Sequence, residues 1–166
     1  MSRREQIRMS APEVASFLAE ERTVTCATIG PRGWPHLMPL WYVLREADDG
    51  VGPRLWAWTY AASQKVRNLE RDRRASLQVE AGEAYADLRG VALECETVIH
   101  RDLSTVAAVG AEILLRNSVP RSTEQPAELP SEASEAVSAQ AAKRVALEFA
   151  EQRRATWDHR KLAGIY

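Results

Sequence analysis

Six mostly short runs rich in β-branched and aromatic residues, punctuated by glycine, proline and aspartate, leave this chain few alternatives to an antiparallel sheet. They are Thr23 to Ile29, Trp34 to Leu44, Arg54 to Thr59, Ala75 to Glu80, a long or bent fifth from Tyr85 to His100 that is interrupted at Arg89-Gly90 and centred on Val91 to Ile99, and Val145 to Phe149, the last continued after a short break by Arg153 to Trp157. Gly30-Pro31-Arg32-Gly33 and Asp48-Asp49-Gly50 with Gly52-Pro53 supply reversals, and Gly90 reads as a bulge in the fifth run. Strands this short, joined by tight turns, favour an antiparallel barrel with peripheral helices, mainly β in an α+β arrangement, over a β-α-β sheet. The second run carries Pro35 and Pro39. Proline cannot donate to a ladder, so this strand must lie at an edge or carry a bulge, with backbone groups left free for solvent or a flat polar ligand.

Helical signals are fewer. Ser10-Ala11-Pro12-Glu13 opens a helix with a capping box and a first-turn proline, placing Val14, Phe17 and Leu18 on one face. From Asp102 onward Leu103, Val106, Ala107, Ile113 and Leu114 follow helical spacing. Residues 117–130 carry three prolines and few apolar side chains, and Ser131 to Ala142 has only a weak apolar stripe. The expectation is a single domain over residues 1–166 with a flexible insertion at 117–142.

The stretch from Thr59 through Ser63-Gln64-Lys65 to Leu69 reads as strand end, turn and helix. A Ser63 hydroxyl can cap that helix, and Lys65 falls in its first turn beside backbone N–H groups that have no intrahelical partner. A lysine there is opposed by the helix dipole, so its placement makes better sense with a bound anion. An ordinary capped surface helix is the simpler alternative on local sequence. Val66 and Leu69 share its buried side, while Arg67, Arg71, Arg73 and Arg74 form a local positive cluster that also fits a solvated face.

With 45% hydrophobic residues in 166, one good core can form. The 22 basic and 23 acidic residues give a formal charge of −1, so nothing global draws the protein to nucleic acid or to an anionic membrane. Neither a signal-peptide stretch nor a membrane-spanning run is present, which predicts a cytoplasmic location. Cys26 and Cys95 lie in apolar runs and read as reduced core residues; His36, His100 and His159 are too scattered for a metal site. Nucleotide-binding glycine motifs and a nucleophile elbow are missing.

In order and spacing, Thr25 to Ile29, Pro35 to Trp41, Ser63-Gln64-Lys65 with Arg67-Asn68-Leu69, Arg74 to Leu77 and Trp157 to Leu162 resemble the flavin-binding split β-barrel superfamily. These are the pyridoxamine 5′-phosphate oxidase-like proteins, and the likeness is greatest to their actinobacterial deazaflavin-dependent reductases. It covers most of residues 10–100 and then 143–162. The resemblance implies a split antiparallel barrel and a homodimer with its cofactor in a cleft between subunits. It also implies that Lys65 neutralises the cofactor phosphate, helped by Thr59, Ser63 and Gln64, while the ring lies against Met38, Pro39, Leu40 and Trp41. Trp34 and Trp41 are expected mainly in core packing, with walling the pocket as the other role.

Coenzyme F-420, a deazaflavin, and FMN are the two cofactors the resemblance allows. The implied reaction is hydride transfer to a small, unsaturated organic acceptor, with Tyr60 and His36 as candidate proton donors. The pyridoxamine phosphate oxidases themselves carry arginine and lysine around the strand equivalent to Met38 to Leu44, where this chain has none before Arg45, and their C-terminal substrate motif is missing. An FMN-dependent enzyme of that kind, and a non-catalytic flavin- or heme-binding protein, are the alternative readings.

Overall fold

A computed structural model describes residues 2–47, 50, 52–118 and 127–162. Its strands are β1 (Thr23–Ile29), β2 (Pro35–Glu46), β3 (Pro53–Tyr60), β4 (Arg74–Ala81), β5 (Arg89–His100) and β6 (Arg144–Asp158). They close a mainly β, antiparallel barrel, as the strand pattern predicts, in the order β1-β2-β3-β6-β5-β4. Alternation puts Val24, Cys26, Leu55, Ala57, Leu77, Leu93 and Leu147 inside. Two helices add to this core: α2 (Ala11–Glu20) through Val14, Phe17 and Leu18, and α3 (Gln64–Arg71) through Val66 and Leu69. A short turn of helix, α1 (Arg3–Gln6), precedes them.

A second core lies outside the barrel. There α4 (Leu103–Asn117) and α5 (Ser131–Ala141) pack Val106, Val109, Ile113 and Ala141 against Val43, Trp56 and Ala146. The buried stripe of α4 is Val106, Val109, Gly110 and Ile113, rotated from the expected one so that Leu103 is exposed. Gly110 is where α4 approaches closest: a Cβ there would lie 2.5 Å from the Trp58 ring. α5 buries Val137 and Ala141, while residues 119–126 of the expected insertion lie outside the described residues. No described helix is long and apolar enough to cross a membrane.

Two sequence expectations about the strands need correcting. β6 runs without a break, and the register shift falls between Glu94 and Cys95 of β5, where Gln152 is the extra residue on β6. Gly90 is therefore no bulge. It stands in register opposite Trp157, whose indole occupies the space a Cβ would need, 2.2 Å from the ring.

Arg116 ties the outer layer to the barrel. Its guanidinium donates to the carbonyls of Leu18, Ala19 and Glu21 at the end of α2 and to that of Tyr42 in β2, and it lies 4.8 Å over the Tyr42 ring. The Tyr42 hydroxyl in turn donates to the Leu18 carbonyl at 2.7 Å. One cation thus satisfies the carbonyls a helix end leaves without partners. Arg116→Ala is expected to lower unfolding free energy by about 2–4 kcal/mol in denaturant titrations, with Arg116→Lys recovering part of it. Gly90→Ala should cost about 1–3 kcal/mol by the same measurement, because the Trp157 ring has to move.

Candidate functional site

β2 has two halves with different neighbours. Pro35 to Trp41 pairs with β1 in unbroken register, from Ile29↔Pro35 to Thr23↔Trp41, and β3 begins to pair only at Tyr42↔Ala57. The other side of residues 35–41 is thus an open edge, the edge that the prolines require. Tyr42 N–H donates to the Arg22 carbonyl on the β1 side. Backbone groups alternate along an antiparallel strand, so Pro35, Leu37, Pro39 and Trp41 direct theirs to the open edge. Pro35 and Pro39 have no N–H to waste there, and the donors offered are those of Leu37 and Trp41.

β3 shows the complementary gap: Trp58, Thr59 and Tyr60 pair with β6 and have no β2 partner. Between the diverging strands lies a pocket of about 320 Å³, lined by Pro39, Leu40, Trp41, Trp58, Thr59 and, from the helical layer and β6, Leu114, Gln140 and Arg144.

At the end of β3 the chain turns at Ser63 into α3. Ser63 takes the N-cap position, but its hydroxyl makes no capping hydrogen bond, contrary to expectation; the Oγ is buried without a partner. Lys65 is 7% exposed, and its Nζ donates to Thr59 Oγ1 at 3.0 Å. It meets no carboxylate among the described residues. Burial holds the Lys65 ammonium below its usual pKa. Gln64 donates to Asn68 at 2.8 Å, and Asn68 donates to Thr28 at 3.0 Å, which fixes α3 against β1. A cation lacking a counter-charge, an idle buried hydroxyl and first-turn N–H groups thus converge at one strand-to-helix turn, and this donor set fits a phosphate.

The remaining sequence candidates divide. Met38 (39% exposed), Pro39 and Trp41 lie open along β2, and Leu40 is half-buried. Trp34 and Trp41, expected in the core, are 74% and 50% exposed, because Trp34 precedes β2 and Trp41 lies on the half of β2 that has no β3 neighbour. Tyr60 ends β3 with its ring under Arg144, whereas His36 sits further along β2 opposite Thr28, away from the pocket lining, with a buried Nδ1 that has no partner. The arginine cluster does not act together: Arg71 donates to the Ile29 carbonyl, and Arg74 is held by Asp72. Both cysteines are buried and their thiols are pushed up to about 12, chiefly by desolvation, so they are inert. The described residues contain no cluster of three or more His, Cys, Asp or Glu side chains that could hold a metal. Arg144, Trp58 and Gln140 were not anticipated as site residues; the alternation of Trp58 with the inward Ala57 and Thr59 is the one sequence signal that points outward to them.

The fold recurs in solved structures. A conserved hypothetical protein from Mycobacterium tuberculosis shares 36% identity, with 100% of this chain and 95% of that one covered and a TM-score of 0.82. An F420 reductase is 20% identical over 84% of this chain and 94% of that one, TM-score 0.60. The heme storage protein HutZ from Vibrio cholerae is 16% identical, covering 89% and 93%, TM-score 0.61. No curated protein sequence matches the chain. The sequence pattern of pyridoxamine 5′-phosphate oxidase does match, from residue 10 to residue 155. A match over that much of the barrel, strand for strand, means that this chain belongs to the pyridoxamine 5′-phosphate oxidase family.

Proposed function

We propose that the protein is an oxidoreductase that binds coenzyme F-420, or FMN in its place, and passes a hydride to an unsaturated organic acceptor. The observation that carries this reading is the pairing of the buried, counter-charge-free Lys65 and idle Ser63 hydroxyl with the open edge of β2. Lys65 and Ser63 would hold the cofactor phosphate, and Thr59 keeps the ammonium aimed at it. Leu37 and Trp41 would offer backbone N–H groups to the polar rim of a flat ring, while Met38, Pro39 and Leu40 supply an apolar bed that excludes water. When bound, the reduced cofactor supplies the hydride. An F420 reductase built on the same barrel adds weight to the deazaflavin.

The cleft would be completed by a second copy of the chain. The outer face of β1, β4 and β5 carries small side chains, Ala27, Ser76 and Ala92, around a groove of about 340 Å³ in which Leu37 stands 58% exposed. A face of small and apolar residues mixed with Thr25, Gln78, Glu94, Arg153 and Arg154 suits a homodimer interface. Ala92→Arg is expected to give a monomer by sedimentation and to weaken cofactor binding; a stable wild-type monomer with full cofactor affinity would refute the intersubunit cleft.

Titration of the apoprotein with F-420, FMN and heme tests the cofactor. F-420 should bind best, and Lys65→Ala should weaken it by about tenfold to a hundredfold, the worth of one charge-assisted contact. Tight heme binding with neither flavin recognised, or unchanged affinity in the variant, would sink the reading.

The charge state of Lys65 gives a second check. Its folded pKa lies below the unfolded 10.5. Charged Lys65 therefore disfavours the empty fold at pH below the folded value, and this penalty is relieved as pH rises through that value toward 10.5. A bound phosphate stabilises the ammonium, so cofactor affinity should fall as pH rises through the folded pKa, and Lys65→Met should abolish that fall. The same variant should leave the melting temperature of the apoprotein unchanged or raised. A marked loss of stability would mean that Lys65 serves the fold instead.

A further inference from the structure

The polar feature of the β2–β3 pocket that the cofactor reading leaves unused is Arg144, the first residue of β6. It stands opposite Tyr60 in the β3–β6 ladder, and its Cζ lies 4.3 Å from the centroid of the Trp58 ring and 4.1 Å from that of Tyr60. Gly110 of α4 also lies against the Trp58 ring, with no room for a Cβ. Nη2 donates to Gln140 of α5 at 3.0 Å, and Nε is buried with no partner. No carboxylate among the described residues pairs with it. A guanidinium carries five N–H donors in a rigid fork shaped for a carboxylate, and here a neutral amide takes one while two aromatic faces fix the plane.

Most of the walls around the guanidinium are apolar, with Thr59 and Gln140 as the polar exceptions. Leu40, Trp41, Trp58 and Leu114 form those walls, and Trp41 and Leu114 also line a neighbouring groove of about 440 Å³ with Leu129, Pro130 and, at its polar positions, Asn117, Ser118 and Glu128. One fixed cation among four apolar walls selects a molecule with an apolar body and a single anionic group. We infer that Arg144 is the specificity residue of the substrate pocket, and that the acceptor is a hydrophobic, unsaturated carboxylate whose carboxylate takes the free edge of the guanidinium. This rests on the proposed function in one respect only, namely that the ligand of this pocket is the hydride acceptor.

Calorimetric titration of the full-length protein with trans-cinnamate and, in parallel, with cinnamamide tests it, because the two differ at the carboxylate alone. The acid should bind at least about tenfold more tightly than the amide. Arg144→Gln should erase that preference, Arg144→Lys should keep part of it, and neither should change F-420 or FMN affinity by more than about twofold. Equal binding of acid and amide to the wild type, failure of both to bind at millimolar concentration, or a preference that survives in Arg144→Gln would overturn the assignment. So would a loss of cofactor affinity in Arg144→Gln matching that of Lys65→Ala, which would make Arg144 a cofactor ligand. The acid–amide comparison is made on the apoprotein, so failure of the cofactor reading leaves its outcome readable.

Discussion

Past Tyr42 and Ala57 the ladder between β2 and β3 stops, and the site features follow from that parting. A strand held on one side only presents its backbone to whatever lies beside it, normally a hazard because another chain can add there. Here the prolines reduce the hazard. By alternation from Tyr42, Pro35 and Pro39 occupy positions that face the gap, so half of the donors an invading strand would need are missing. A ligand with a short polar rim needs only one or two donors. The open edge therefore discriminates against strands and in favour of a small flat molecule, and the discrimination is written in two residues.

The same parting explains where the charges sit. Had β3 kept its β2 partner as far as Tyr60, Thr59 and Trp58 would be covered on both edges, and no pocket would separate Leu40 from Arg144. Lys65 would then be a cation sealed beneath a closed sheet. Instead it is screened from bulk water while standing one hydroxyl away from an accessible cleft. Desolvation without a counter-charge is unfavourable for the empty protein and favourable for capturing an anion, since the desolvation is already in place before the anion arrives.

Much of this was legible in the sequence, and the misses have physical causes. Strand positions, the Pro35 and Pro39 edge and the Ser63-Gln64-Lys65 turn depend on local chemistry, and local chemistry is what periodicity and turn residues report. Trp34 and Trp41 were misplaced because an apolar residue looks the same in sequence whether the neighbouring layer is present or absent. Gly90 was misread because its reason for being glycine, the Trp157 ring, lies across a strand pair formed late in the chain. Arg144 escaped for a similar reason. Trp58, Tyr60 and Gln140 come from three elements, and only the β3–β6 register and the packing of α5 bring them to one guanidinium.

Lys65 and Arg144 are also different instruments. The ammonium of Lys65 is a point charge on a flexible stem, almost wholly buried and tied to a single hydroxyl, so it can follow a phosphate through small displacements. The guanidinium of Arg144 is planar, laid over two rings and braced by an amide, so it accepts an anion from one direction. A site that must hold one anionic partner through many turnovers while exchanging another is served by this division. On the proposed function, charge and burial would give affinity for the resident group, and a fixed fork would orient the transient one. Thr59 faces inward to Lys65 and Tyr60 outward to Arg144, so the one-residue alternation of β3 sends the two cations to different sides of the strand end, beside a pocket that Thr59 and Arg144 both line.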